Sequence, residues 1–171
     1  MHKSLLTLCL CVGLSTVALA PQAAEQLVRV GQCEYSVQLP EKPVVKPGRR
    51  PAAGIAAGPS LVGRINNRVP AYRIECQTFA QMPPSARQTM LEDAEEQARG
   101  LGLKDLQFSI KDTRLGTVFE YYGIDVQARH RFVVTGRTIL GRQSVFLLEA
   151  TEPAANYPSG ETRRVFDSIR R

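Results

Sequence analysis

The most regular apolar pattern of the chain predicts an amphipathic helix over residues 85–100. Apolar side chains recur there at the three- and four-residue spacing of one helical face, and acidic side chains occupy the other side. Ser85 begins a capping-box pattern, and glycines at 100 and 102 supply the stop. The residues of the predicted apolar face are Met90, Leu91, Ala94, Ala98 and Leu101.

A shorter helix is predicted close to the C-terminus. Ser159 is placed to cap it, after a loop rich in proline and alanine. Val165, Phe166 and Ile169 form the stripe that we expect to be buried. The four arginines of this region, at 163, 164, 170 and 171, fall outside the stripe, and the last two are placed against the negative end of the helix dipole.

Strand-like segments follow the first helix in close succession. We predict strands over residues 106–111, 116–122, 125–135 and 137–151, with turns near Gly116, Gly123, Gly136 and Gly141. Residues 144–150 are apolar on both faces, so this strand should be central and covered on both sides. The predicted fold class is therefore α+β: an antiparallel β-sheet meander with one central and one C-terminal helix packed on it.

Two earlier segments alternate like strands, and each carries one cysteine. Alternation places Cys33 on the face of Tyr35, Val37 and Leu39, and Cys76 on the face of Tyr72 and Ile74. Both thiols then point to the apolar side. We predict a structural disulfide between Cys33 and Cys76; the alternative is two buried free thiols that pack as small apolar groups.

The N-terminus has the layout of a secretory signal peptide. A basic head at residues 1–3 precedes an apolar run over residues 5–14 and the small-residue end at 18–20. We expect a signal peptide over residues 1–24, cleaved near Ala20 or Ala24, and a single globular domain over residues 25–171. The alternative is a retained N-terminal anchor. Export predicts a periplasmic or secreted location, where disulfides persist, and no transmembrane span after cleavage.

Charge is concentrated in one long segment. The formal net charge is +6, or about +5 without Lys3 of the leader. From residue 42 to residue 73 there are seven basic residues and no acidic one, within a stretch rich in proline, glycine and alanine. We predict a long loop over residues 40–70 with one short strand at 61–65. Its candidate partner contacts are Arg49, Arg50, Arg64 and Arg68; the alternative is that the loop rests on the acidic helix residues 92–96.

Catalytic constellations are missing from the sequence. His130 alternates with Phe132 and Val134, which predicts a core histidine, not a base or a metal ligand. No nucleophile elbow, phosphate loop or dinucleotide fingerprint occurs, so we expect no catalytic residues, no cofactor and no metal site.

Two further clusters admit a binding role. The adjacent Tyr121 and Tyr122 should point to opposite sides of a strand, and a ligand-stacking role is the alternative. The arginines at 129, 131 and 137 either lie on a solvated or carboxylate-paired face or form an anion site.

The order of elements resembles the PsbP-like family of α/β/α sandwiches, which includes bacterial DcrB-type periplasmic proteins. The matching segments are "YSVQLP" near the start, "FVVTGRTI" and "SVFLLEA" as successive late strands, and the closing "FDSI". The resemblance covers most of residues 28–170. It implies an accessory or binding module and carries over no functional residue, and the basic loop and the cysteine pair depart from its usual pattern.

These observations predict an exported, non-enzymatic accessory or binding protein. Its partner would be an envelope protein or an anionic surface, and we do not expect nucleic acid. One alternative is a polyanion or membrane-surface binder that acts through residues 42–73; another is a small secreted enzyme or an enzyme inhibitor. Because a fold shared with a family does not carry a function by itself, the site has to decide between them.

Overall fold

A computed structural model describes residues 25–48, 60–82 and 84–171. The predicted signal peptide over residues 1–24, and Arg49 and Arg50 among the candidate contacts, lie outside the described residues. The described part is α+β, as predicted, with mostly antiparallel strands and two helices.

One antiparallel sheet of seven strands dominates the described residues, in the spatial order β3-β4-β5-β9-β8-β7-β6. Its strands are β3 (Val44–Pro47), β4 (Leu61–Ile65), β5 (Ala71–Thr78), β6 (Lys104–Thr113), β7 (Gly116–Gln127), β8 (His130–Leu140) and β9 (Ser144–Pro153). The strands β1 (Gln26–Val28) and β2 (Val37–Leu39) form a separate antiparallel pair. β9 is the middle strand of the seven, which confirms the central position predicted for residues 144–150. The predicted cover on both sides is incomplete, because Leu147 and Glu149 on one face are only half-buried.

The two helices, α1 (Pro84–Gly100) and α2 (Gly160–Asp167), lie against opposite faces of this sheet. Val165, Phe166 and Ile169 pack with sheet residues such as Leu148 on what we call the α2 face. Ala98 of α1 packs with Phe119 and other residues that point the opposite way, on the α1 face. The segment before β3 covers the α2 face as well, with Tyr35, Val37 and Leu39 fully buried.

A disulfide joins Cys33 to Cys76, as predicted, with the two Cα atoms 6.0 Å apart. Both cysteines are buried on the α2 face, beside the apolar residues with which alternation had grouped them. The bridge therefore fastens the N-terminal segment to β5.

The predicted helices are present with small changes. α1 begins at Pro84, so Ser85 lies in its first turn and not at the cap. Leu101 was expected in the apolar face but lies just beyond the helix and is 45% exposed. At α2 the Ser159 side chain accepts a hydrogen bond from the Thr162 N–H at 3.1 Å, and the predicted stripe is buried.

Two predicted turns were wrong. Gly123 and Gly136 lie inside β7 and β8, so the strands predicted over residues 125–135 and 137–151 each cross a turn, at residues 128–129 and 141–143. The turns predicted near Gly116 and Gly141 are present. Gly136 is directly opposite Tyr121, and a Cβ atom there would lie 2.2 Å from the tyrosine ring. A Cβ at Gly123 would lie 2.7 Å from that of Leu103. Both glycines therefore serve close packing within strands and not chain reversal.

The predicted loop over residues 40–70 is partly sheet. The strand expected at residues 61–65 is present as β4, but Val44–Pro47 was not expected to be a strand and pairs with it as β3. β3 is short, lies at the edge of the sheet and ends in a proline, which is where a sheet tolerates one.

His130 is exposed, so its predicted place in the core was wrong. It is the first residue of β8, next to the turn, where the sheet extends past its covering layers. Burial begins only at Val133 and Val134, whose side chains point to opposite faces. Alternation indicates the face of the sheet to which a side chain points, but it does not show how much of the strand is covered by other parts of the chain.

Candidate functional site

A wide groove lies on the α1 face, between α1 and the β3–β4 hairpin. Its volume is about 1380 Å³, and we call it the α1-face groove. The sheet forms its floor, because α1 lies over β7 and β8 and leaves the β3–β4–β5 side of the same face uncovered. A small-molecule pocket typically measures about 300–1,000 Å³, so this groove is larger than such a ligand requires.

One wall of the groove is basic. Lys42, Lys46 and Arg64 line it, and all three side chains are exposed. Within residues 25–48, 60–82 and 84–171, no carboxylate forms a salt bridge with any of the three. Three cations thus border the groove without a salt bridge to a described carboxylate, although the Glu41 carboxylate also lines the groove.

The opposite wall is formed by α1 and is acidic. Asp93 and Glu96 line the groove and are exposed, whereas Glu95 pairs with Arg99 along the helix at 2.7 Å. The expectation that the basic segment rests on the acidic helix would require ion pairs across the groove. None joins the two walls among the described residues.

A chain of hydrogen bonds fixes the floor. Ser60 Oγ donates to Glu75 Oε1 at 2.6 Å, and Arg73 Nη2 donates to Glu75 Oε2 at 2.6 Å. Arg73 also lies 3.9 Å from Glu149, which accepts from the Tyr121 hydroxyl at 2.5 Å. Burial, followed by the negative charge of Glu149, raises the pKa of Tyr121, so the phenol remains protonated and holds the carboxylate.

Arg64 and Arg68 are not brought together. Arg64 points to the α1 face, opposite Arg73 in the β4–β5 ladder. Arg68 follows β4 and donates to Glu161 of α2 at 2.5 Å, and the Tyr72 hydroxyl donates to the same carboxylate at 3.0 Å. Arg68 therefore helps to hold α2, while Arg64 faces the groove.

A second cavity, of about 430 Å³, lies on the α2 face beside α2. Tyr122 points into it and stacks on Tyr157 with ring centroids 6.5 Å apart, whereas Tyr121 is buried on the other side of the sheet. The expected division of the two tyrosines between the faces is thus confirmed.

The arginines at 129, 131 and 137 do not form one cluster. Arg137 donates to Glu120 at 2.7 Å and to the Phe166 carbonyl at 2.9 Å, whereas Arg129 lies in a turn and Arg131 is exposed. Burial favours the neutral form of Glu120, but hydrogen bonds from Lys111 and Arg137 outweigh it and lower the pKa of this carboxyl. The carboxylate-paired alternative therefore describes Arg137.

The groove has the groups of a binding surface. No group of three or more metal-ligating side chains occurs among the described residues. Likewise, no helix within the described ranges is long and apolar enough to cross a membrane. The side chains that line the groove can form ion pairs and hydrogen bonds with a ligand, and its apolar floor residues, such as Leu147, can contact it.

Sequence reasoning missed the floor of the groove. Glu149 joins Arg73 only because β5 and β9 are neighbours, although they are far apart in sequence, whereas Glu75 lies two residues from Arg73 on the same strand. The alternation of each strand, with polar residues on its less apolar side, could be read from the sequence. The order of the strands in the sheet could not. The sequence matches no protein-family model and no curated protein sequence.

Proposed function

We propose that the protein is an exported, non-enzymatic binding protein that holds a polypeptide segment of an envelope partner in the α1-face groove. The observation that carries the proposal is the set of three exposed cations, Lys42, Lys46 and Arg64, which border the groove and have no carboxylate partner among the described residues. An acidic stretch of a partner would provide the missing counter-charges.

The two walls favour a segment that carries both charges. The hairpin wall is basic and the α1 wall presents Asp93 and Glu96, so a ligand with acidic groups on one side and basic groups on the other would satisfy both. The size of the groove supports an extended segment in preference to a small metabolite. The accessory role that the PsbP-like resemblance implies is consistent with this proposal, as is a periplasmic location.

The alternative function, binding to an anionic membrane surface, uses the same three cations. It predicts that affinity depends on the surface charge of the bilayer and falls steeply with salt. The acidic α1 wall counts against it, because a flat anionic surface that reaches the hairpin would also approach Asp93 and Glu96.

The test replaces Lys42, Lys46 and Arg64 together with serine. The matched control replaces Arg129, Arg131 and Arg142 with serine, which removes the same charge from three exposed residues that lie outside the groove. Partner adducts are then compared after crosslinking in cells, and binding to anionic vesicles is measured in parallel. We expect only the groove variant to lose its adducts, with both variants equally stable to heat.

Other outcomes separate the functions. If the groove variant loses its binding to vesicles but keeps its protein adducts, the membrane alternative is favoured. Equal loss in the groove and control variants would show that net charge, and not the groove, is responsible, and the proposal would be wrong.

A further inference from the structure

The two edges of the large sheet are protected very differently. β3 has only four residues and ends in Pro47, and both features discourage pairing with another chain, whereas lysines occur at both edges, Lys46 in β3 and Lys104 and Lys111 at the ends of β6. β6 at the opposite edge has ten residues and contains neither proline nor glycine. All of its residues are exposed except Leu106, which is half-buried. No described strand pairs with the outer side of β6, so its outward N–H and C=O groups are open to another strand.

The centre of β6 is apolar on the α1 face. Phe108 is 38% exposed and Ile110 is 51% exposed, and both lie beside the buried ring of Phe119 across the β6–β7 ladder. A bulge interrupts this ladder between Lys104 and Gln107, and Asp105 within it has a φ of 51°. The regular β6–β7 ladder therefore begins at Gln107, with Leu106 beside the bulge.

The sequence of β6 is complementary to itself when it is reversed. In an antiparallel pair of two copies centred on Phe108, apolar residues meet apolar residues and small polar residues meet each other. The opposed pairs are Phe108 with Phe108, Leu106 with Ile110, and Gln107 with Ser109.

Neighbouring registers match less well, although each keeps some apolar pairs. Centring the pair on Ser109 keeps Phe108 opposite Ile110 but places Leu106 opposite Asp112, and centring it on Gln107 keeps Leu106 opposite Phe108 but places Ile110 opposite Lys104. When two copies are related by a two-fold axis perpendicular to the sheet, one residue of β6 lies opposite the same residue of the other copy. Pairing about Gln107 or Ser109 is therefore the nearest alternative to pairing about Phe108.

We propose that β6 is a homodimerisation edge, at which two copies of this chain pair antiparallel about Phe108 and join their sheets into one. The interface is isologous, and its backbone hydrogen bonds and the Phe108, Leu106 and Ile110 contacts supply the association. It is small, so association depends on concentration. The α2-face cavity borders Gln107 and Ser109, and the pairing therefore brings the cavities of the two copies side by side.

Sedimentation equilibrium of the protein, purified as the cell processes it, measures this association at about 0.15 M salt, where long-range repulsion is screened. We expect a monomer–dimer equilibrium, and Ile110→Lys should weaken it at least tenfold by placing a charge opposite Leu106. Val126→Lys is the control, since Val126 is an apolar residue of β7 that is 42% exposed and lies away from the edge strand. A wild-type chain that stays monomeric up to about 1 mM, or equal weakening by both substitutions, would overturn the proposal.

Disulfide trapping tests the register separately. The native cysteines are joined to each other, so Phe108→Cys introduces the single free thiol of the described residues and should form a covalent dimer under mild oxidation. Ser109→Cys is the matched control, because the proposed register places Ser109 opposite Gln107 and separates the two new thiols. Preferential trapping of the Ser109→Cys variant, or trapping of neither variant, would contradict pairing about Phe108.

Discussion

At the scale of single residues, the alternation of side chains along β7 assigns adjacent tyrosines to different sites. Tyr121 points to the α1 face and supports the groove floor through Glu149, while Tyr122 lines the cavity on the α2 face. Gly136 makes the first arrangement possible, because the Tyr121 ring occupies the space that a side chain at position 136 would fill. The sequence predicted the division of the tyrosines, but not the glycine that accommodates one of them.

The buried phenol of Tyr121 should make stability depend on alkaline pH. Its pKa is raised in the folded protein by burial and then by Glu149, so above about pH 10 the unfolded chain loses this proton while the folded chain keeps it. The resulting stability is complete below pH 10 and is lost as the pH rises toward the folded pKa. We expect the free energy of unfolding, measured in urea from pH 8 to pH 11, to fall.

Two variants identify the source of this dependence. Tyr121→Phe should reduce the fall, and at pH 8 it should lower stability by about 1–3 kcal/mol, because Glu149 loses a hydrogen-bond donor. Tyr122→Phe is the control, since Tyr122 is 40% exposed. An unchanged slope in the Tyr121→Phe variant would show that other groups cause the dependence.

At the scale of elements, periodicity correctly located both helices, the number of strands that follow α1 and the central position of β9. It misplaced two of the turns, because glycine is equally compatible with a turn and with close packing inside a strand, as at Gly123 and Gly136. It also missed β3, because two prolines and a lysine resemble a loop unless the position at a sheet edge is known.

The disulfide is the strongest link between the N-terminal segment and the sheet. It joins residues 43 apart in sequence, and in the chain-entropy model such a bridge contributes about 4 kcal/mol. We expect a double Cys33→Ala and Cys76→Ala variant to be less stable by a few kcal/mol in urea unfolding, with the groove and its capture of a partner retained under conditions where the variant is folded. Equal stability of the oxidised protein and the variant would contradict a structural role.

At the scale of the whole molecule, the five described basic residues of positions 42–73 divide among different surfaces. Arg73 belongs to the groove floor, Arg68 is paired with Glu161 of α2, and Lys42, Lys46 and Arg64 border the groove. The sequence identified the segment as a unit of positive charge. The sequence did not distinguish a basic residue that contacts α2 from one that faces the groove. That distinction depends on the face of the sheet to which each side chain points.

The most direct test of the groove as the contact site is a photoreactive benzophenone side chain placed at position 64, with position 131 as the matched control. Both positions carry exposed arginines without an ion-pair partner among the described residues, and they lie on opposite faces of the sheet. We predict that position 64 forms adducts with an acidic segment of another protein, that position 131 does not, and that replacing Lys42 and Lys46 with serine removes the adducts. Adducts from position 64 to α1 of its own chain, or equal adducts from both positions, would contradict the account.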